Sequence, residues 1–217
     1  ILKKDLTQDN FMTSGQILTT VLQKERKGGY LGRDVQIIPH VTGEIKYRLR
    51  SLALKTKADV VFVEVGGTVG DFENAYYIEA LRELAYEEGR EHVCFAALTY
   101  ILTPKMLGEQ KSKAAQLGVC ELIHSGIQPD FLMCRCSQKV TEKIREKLSI
   151  YTNVPLQNVV GLHDVKNIYL VPELLRDAGV HGAVIDRLGL RGRAHIQLAQ
   201  EKQQQWNNVV EGIQSPQ

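Results

Sequence analysis

The chain has 217 residues, 43% hydrophobic and 24% charged, an ordinary globular balance that allows one large domain or two small ones. A formal net charge of +2 without a basic tract gives no reason to expect a nucleic-acid partner, and no apolar run approaches the ~18 residues of a membrane-spanning helix. No signal peptide is visible, and Cys94, Cys120, Cys134 and Cys136 fit no zinc spacing, so they read as free thiols in a reducing cytosol.

In chain order, FMTSGQILTTVLQKERKGG reads as a helix capped near Thr13 or Ser14, with Ile17, Leu18, Val21 and Leu22 on one face and glycines after it. DVQIIPH reads as a short strand, and Thr42 as the cap of a helix running to about Leu54. ADVVFVEV is a continuous apolar run of the kind buried on both faces of a parallel sheet. FENAYYIEALRELAYEEGR is a helix whose inward stripe is Tyr77, Ile78, Ala80, Leu81 and Leu84.

HVCFAALTY is expected as the next buried strand, and the irregular ILTPKMLGEQKSK leads into a helix that ends at HSGIQPD. FLMCRC is a strand that turns Cys134 and Cys136 to the same side. VTEKIREKLSIYTNVP is a helix stopped before Pro155, NVVGL a short strand and VPELLRDAGV a short helix. The polar, glutamine-rich end from Arg191, with its single Trp206, reads as a closing helix and the start of a linker. Strand and helix alternating at this spacing mean an α/β fold: a mostly parallel sheet with helices on both faces, in three αβα layers.

In such sheets ligands bind beyond the carboxyl ends of the strands. Glu64 lies near the end of the apolar run 58–65, and a buried carboxylate needs a partner. Two readings stand: a ligand of Mg²⁺ in a phosphate-handling site, or half of an ion pair with an arginine or lysine. Gly66, Gly67 and Gly70 free the following loop to approach a ligand. Beyond it, Asp71 and Glu73 either accept hydrogen bonds from sugar hydroxyls and exocyclic amines or simply favour a helix start.

Lys111 and Lys113 flank Ser112 where a helix begins, with Gln116 following. That is an anion site, best suited to a polyphosphate, or a solvated lysine pair. Lys147 alone is an ordinary surface lysine. No G-x-x-x-x-G-K-[ST] loop occurs in the chain.

The segments KERKGGYLGRDVQIIPHVTGEI, VEVGGTVGDFE, GEQKSK, SGIQPD and NVP, in this order, resemble the synthetase (amidoligase) domain of the CTP synthase family, from about Leu2 to about Val210. The resemblance implies a P-loop-NTPase-like sheet, similar to dethiobiotin synthetase. It divides the chain into a partial amidoligase domain, 1–190, and a closing helix with the start of a linker, 191–217. It also implies that ATP phosphorylates O4 of UTP and that ammonia, released from glutamine by a following glutaminase domain, displaces the phosphate to give CTP.

Glu64 then falls on the Mg²⁺ ligand. Asp71, Phe72 and Glu73 fall on the loop that contacts the pyrimidine nucleotide. Lys111, Ser112, Lys113, Ala114, Ala115 and Gln116 fall on the segment that grips the UTP or CTP triphosphate. Lys147 falls on a further lysine of that site, contributed across subunits. His163, Asp164 and Val165 fall beside the adenine of ATP. Mg²⁺ and ATP are the implied cofactors. The family further implies CTP as a feedback inhibitor, a homo-tetramer, a cytoplasmic location, and neither nucleic-acid nor membrane partners. Positioning and charge stabilisation suffice for phosphoryl transfer, so no catalytic nucleophile is expected.

The chain departs from the family in three respects. It starts at Ile1 rather than Met and lacks the segment carrying the P-loop, and the glutaminase domain does not follow, so an inactive fragment is expected. The triphosphate segment reads KSKAAQLG, with Ala114 and Ala115 in place of a proline and a hydroxyl-bearing residue, and Leu117 and Gly118 in place of a polar pair. Cys120 stands where the family has a basic residue, His163 where a lysine is common, and FENAYYIEAL where the family usually has a proline-containing stretch. These changes leave a second expectation, a divergent nucleotide-binding paralogue with weak or no catalysis, acting in assembly or regulation. A ligase related to dethiobiotin synthetase is a third, disfavoured by the match at the pyrimidine loop.

Overall fold

The computed structural model describes residues 5–104, 106, 108–193 and 196–214, and forms two compact units, Ile1–Glu87 and Glu88–Gln217.

The first unit is helical. Helix α1 (Ser14–Arg26) starts where the sequence says. The Thr13 hydroxyl accepts from the Gln16 N–H at 3.2 Å, while the Gln16 side-chain oxygen accepts from the Thr13 N–H at 3.1 Å. Ile17 and Val21 are buried, but Leu18 and Leu22 of the expected stripe are exposed. Helices α2 (Thr42–Thr56) and α3 (Ala75–Glu88) complete a core around Ile17, Val21, Val41, Ile45, Leu49 and Ala80. Tyr77, Leu81 and Leu84 of the α3 stripe pack against it. Lys46 of α2 reaches the carboxylates of Glu83 and Glu87, so its ammonium is paired within a largely apolar contact.

Three expectations fail in this unit. DVQIIPH is not a strand: Ile37–Val41 forms a π-helical turn, and Pro39 has no N–H to give to a ladder. Thr42 does not cap α2. It already has helical angles, the cap is Val41, and the buried Thr42 hydroxyl has no partner. Residues 58–65 are not a strand buried on both faces either. No strand among the described residues pairs with them, Phe62 is 91% exposed, and Glu64 is exposed. An apolar run marks a strand only where a neighbour takes up its N–H and C=O groups.

The loop that follows is nevertheless fixed. Asn74, 7% exposed, donates from its side-chain amide to the carbonyls of Gly66 (3.1 Å) and Thr68 (2.9 Å). Gly67 has φ +84°, and a Cβ there would lie 3.0 Å from the Asn74 amide nitrogen, so the glycine is required twice over.

The second unit holds a parallel sheet of three strands in the order β1 (Ala96–Ile101), β2 (Phe131–Cys136), β3 (Val159–His163). Helices α4 (Lys113–His124) and α5 (Glu142–Thr152) join the strands, and Asn153 in the left-handed region ends α5 before Pro155. Their buried faces, Ala115, Val119, Ile144 and Leu148, meet Ile101, Leu132, Cys134, Cys136 and Val159 in one core. Helices α6 (Val171–Asp177), α7 (Val180–Arg187) and α8 (Ile196–Gln214) follow, with the Tyr169 ring tilted against that of Trp206 of α8, centroids 5.9 Å apart. Helices thus flank a parallel sheet, the αβα, P-loop-NTPase-like class expected from the sequence.

Strand β1 differs from its expectation. It is an edge strand rather than a fully buried one, with Leu98 70% exposed and Tyr100 also exposed. All four cysteines are free thiols. Cys134 and Cys136 are buried, and burial pushes the Cys134 thiol up to about 12, which leaves it unreactive.

The amino edge of the sheet is closed by Asp130. Its carboxylate accepts from the Phe95 N–H (2.7 Å), Arg90 (2.8 Å) and Arg187 of α7 (2.7 Å). Burial raises the Asp130 pKa, but the Phe95 N–H and the two guanidiniums outweigh it, so the carboxyl sits below the usual range.

Two predictions follow from these contacts. Asp130→Ala, which orphans three donors, should cost about 3 kcal/mol at neutral pH. Asp130 is held lower in the folded chain than in the unfolded one. Its contribution is therefore complete above an unfolded pKa of about 3.9 and is lost as pH falls through the folded value. Denaturant midpoints of the parent and Asp130→Ala should accordingly converge in acid and stay apart from pH 5 to 7. Asn74→Ala should cost about 1–2 kcal/mol, because two loop carbonyls lose their donor while the unpartnered Asn74 Oδ1 is removed as well. Urea melts of the variant check it.

Candidate functional site

The sequence-predicted residues fall into two groups, one in each unit. In the first unit, Glu64 lies near the end of the apolar run 58–65, and residues 66–70 form the loop that Asn74 ties down. Asp71 stands at the start of a 3₁₀ turn, Phe72–Asn74, and its side chain does not cap it. Asp71, Phe72 and Glu73 are all exposed.

Neither Glu64, Asp71 nor Glu73 makes an ion pair among the described residues. The ion-pair reading of Glu64 is thus not realised, and neither is its burial. An exposed carboxylate with open surroundings suits Mg²⁺, which keeps several waters and takes one or two carboxylates together with phosphate oxygens. Among the described residues no cluster of three metal-ligating side chains occurs, so a metal here would need ligand oxygens from elsewhere.

In the second unit, the parallel strands bring three loops to one edge. Beyond β1, the chain runs to Lys111, whose N–H donates to the Leu102 carbonyl at 2.7 Å in an isolated bridge. Beyond β2 comes the loop 137–141, and beyond β3 come Asp164 and Val165. His163 closes β3 opposite Cys136. The Asp164 N–H donates to the Cys136 carbonyl at 3.0 Å, and its carboxylate accepts from Arg135 at 3.2 Å.

Gln110 ties the first two loops together. Its side chain is buried. The amide nitrogen donates to the Lys139 carbonyl at 2.9 Å, and the oxygen accepts from the Thr141 N–H at 2.9 Å.

Between these loops lies a cleft of about 600 Å³ lined by Lys111, Ser112 and Lys113 on one side and by Lys139, Lys143 and Lys147 on the other. The one acid in its lining is Glu109, paired with Lys111 at 2.5 Å. The Lys111 hydrogen bond, then its charge, hold the Glu109 carboxyl below the usual range, and the fields of Lys143 and Lys147 add to the pull.

The structure therefore brings Lys111, Ser112, Lys113 and Lys147 of one chain around a single cleft. Ala115 and Gln116 instead point into the core, with the Gln116 amide donating to the Ser112 hydroxyl at 3.0 Å. Ala114 is exposed. Sequence reasoning missed Gln110, Lys139 and Lys143. The signal for Lys143 was its four-residue spacing from Lys147 on one helix face, whereas Lys139 precedes that helix and carried none.

The profile described as CTP synthase N-terminus matches residues 1–190. A CTP synthase of Pyrococcus horikoshii is 46% identical over 192 residues, 88% of this chain and 35% of that protein. One of Thermococcus gammatolerans is 42% identical over 214 residues, 99% of this chain and 39% of its own length. One of Roseiflexus is 40% identical over 212 residues, 98% and 37% respectively. The chain thus spans well under half the length of the curated relatives it matches. With nine-tenths of its length inside that profile and relatives at these identities, the chain belongs to the CTP synthase family and corresponds to its N-terminal part.

Proposed function

We propose that the chain is the nucleotide-handling part of a glutamine-hydrolysing CTP synthase, a ligase that aminates UTP to CTP in pyrimidine biosynthesis. The observation that carries this reading is the cleft at the carboxyl edge of the sheet. It has five lysines and one acid, in a chain of this family.

In this reading Lys111, Lys113 and Lys147 bind the triphosphate of UTP, or of CTP as feedback inhibitor, through charge-assisted hydrogen bonds. Ser112, Ala114, Ala115 and Gln116 form the segment that presents the two lysines. Asp71 and Glu73 accept hydrogen bonds from the sugar hydroxyls or exocyclic amine of a pyrimidine nucleotide, and the exposed ring of Phe72 lies between them in sequence. His163 at the end of β3, with Asp164 and Val165 just past it, stands beside the adenine of ATP.

Glu64 would hold Mg²⁺, which when bound offsets the charge of the phosphates. The reaction transfers the ATP γ-phosphoryl group to O4 of UTP, and ammonia then displaces phosphate at C4. This chain's residues orient the two polyanions and stabilise their charge, and none forms a covalent bond. The partners in this reading are a glutaminase domain that supplies ammonia and further copies of the chain in a homo-tetramer. The location is the cytoplasm, without nucleic acid or membrane. No helix among the described residues is long and apolar enough to cross a membrane.

The test is CTP formation by the full-length protein from UTP, ATP, Mg²⁺ and ammonium, followed as conversion of uracil to cytosine. Turnover is expected, and Lys111→Ala should raise the KM for UTP about tenfold or more, as loss of a charge-assisted contact does. UTP binding without turnover would replace this reading by a nucleotide-binding paralogue. Unchanged UTP affinity in Lys111→Ala would overturn the assignment of the cleft in either version.

A further inference from the structure

Two of the five cleft lysines, Lys139 and Lys143, belong to no motif that the sequence singled out. We propose that both contact the same polyphosphate as Lys111, Lys113 and Lys147, so that the anion is gripped from two sides. The proposal rests on the reading of the cleft as the triphosphate site and adds residues to it.

Three observations carry it. The first is placement. Lys143 and Lys147 are one turn apart on α5 and share a face, and Lys139 lies in the loop before that helix. All three line the cleft opposite Lys111 and Lys113.

The second is the absence of internal neutralisation. Lys113, Lys139, Lys143 and Lys147 make no ion pair among the described residues, and Glu109 is already taken by Lys111. Four exposed ammonium groups around one concavity repel one another, and a multiply charged anion is the ligand that relieves this.

The third is the backbone. Both α4 and α5 begin at the cleft, and neither cap side chain, Ser112 or Thr141, bonds a first-turn N–H. Two helix amino ends, 12 and 11 residues long, therefore add their positive dipole ends to the lysines. The bonds of Gln110 to Lys139 and Thr141 hold the two sides in fixed apposition, so the lysines of the second side need little rearrangement to reach a ligand bound by the first.

A polyphosphate is the chemistry this arrangement selects. A single carboxylate or monophosphate can engage one side, whereas a chain of phosphates engages both.

The experiment titrates the 217-residue chain with inorganic tripolyphosphate and with UTP by calorimetry, at low and at near-physiological salt. The parent, Lys111→Gln, and the double variant Lys139→Gln/Lys143→Gln are compared. These are exposed lysines, and circular dichroism melts verify that each variant folds.

The double variant is expected to bind both ligands about tenfold more weakly than the parent at low salt and to show a shallower loss of affinity as salt rises. Lys139→Glu/Lys143→Glu should weaken binding further. If Lys111→Gln loses affinity while both double variants bind as the parent does, Lys139 and Lys143 are not part of the site and the proposal falls, with the cleft assignment intact. Should Lys111→Gln and the double variants all bind as the parent does, the cleft is not the polyphosphate site and both readings fall together. In a parallel titration with orthophosphate, which can engage only one side, the double variant should lose little affinity, and equal weakening for orthophosphate and tripolyphosphate would also overturn the two-sided grip.

Discussion

Asp130 sets the register from which the second unit follows. Its N–H and that of Phe131 both donate to the Phe95 carbonyl, while its carboxylate accepts from the Phe95 N–H. These bonds fix Ala96 opposite Phe131, and the ladder then runs without a break to Ile101 opposite Cys136. A slip of one residue would turn Leu132, Cys134 and Cys136 out of the core. It would also misplace the two loops that leave the carboxyl ends of β1 and β2. Arg90 and Arg187 neutralise the carboxylate, and Arg187 further donates to the Arg90 carbonyl at 2.7 Å, which anchors the end of α7 to the same corner. Cohesion is thus concentrated at the amino edge, which leaves the carboxyl edge to hold unneutralised charge.

That charge has a cost in the absence of a ligand. Each pair of neighbouring ammonium groups repels, and only one of the five is paired within the cleft. The fold tolerates this because the groups are exposed, where water and salt screen them. It also tolerates it because Gln110 rather than any lysine makes the mechanical connection between the loops. The neutral, fully partnered amide carries the structure, and the lysines are left exposed. The same division holds in the first unit. Asn74 holds the glycine loop, and Glu64, Asp71 and Glu73 stand free of structural duty at its two ends.

The parts of the fold that were legible in the sequence are those in which side-chain pattern and backbone bonding coincide. The Thr13–Gln16 box, the α3 stripe, FLMCRC with its two buried cysteines, and the parallel α/β class all belong to this kind. Residues 58–65 show the opposite case. Their pattern states a preference for burial, but a ladder also requires a second chain segment, about which an apolar run carries no information. The edge exposure of Leu98 and Tyr100 was hidden for the same reason. In the site, Lys111 and Lys113 were legible because of the motif around them. Lys139 and Lys143 were not, because a lysine outside any motif is usually a solvated residue, and it is the bonds of Gln110 to Lys139 and Thr141 that bring the start of α5 to the same cleft as Lys111 and Lys113.

The altered triphosphate segment takes on a definite meaning in this geometry. Ala115 is 1% exposed and sits in the core beside Val119 and Leu132, so a hydroxyl there would be buried rather than offered to a ligand. Ser112 and Gln116, both buried, bond to each other one helical turn apart. Of the six residues from Lys111 to Gln116, three therefore form the scaffold of the first turn of α4, and only Lys111, Lys113 and Ala114 face outward. A hydroxyl lost at position 115 removes a side chain that this fold keeps away from the cleft. Between Lys111 and Gln116 the substitution at 114 alone alters the exposed surface, and beyond it the replaced Leu117 and Gly118 are exposed as well. Charge at the cleft is carried by ammonium groups and by two helix amino ends, none of which the alanines remove. The polyphosphate binding proposed for this cleft would accordingly be a property of the edge as a whole rather than of the motif by which the segment is recognised.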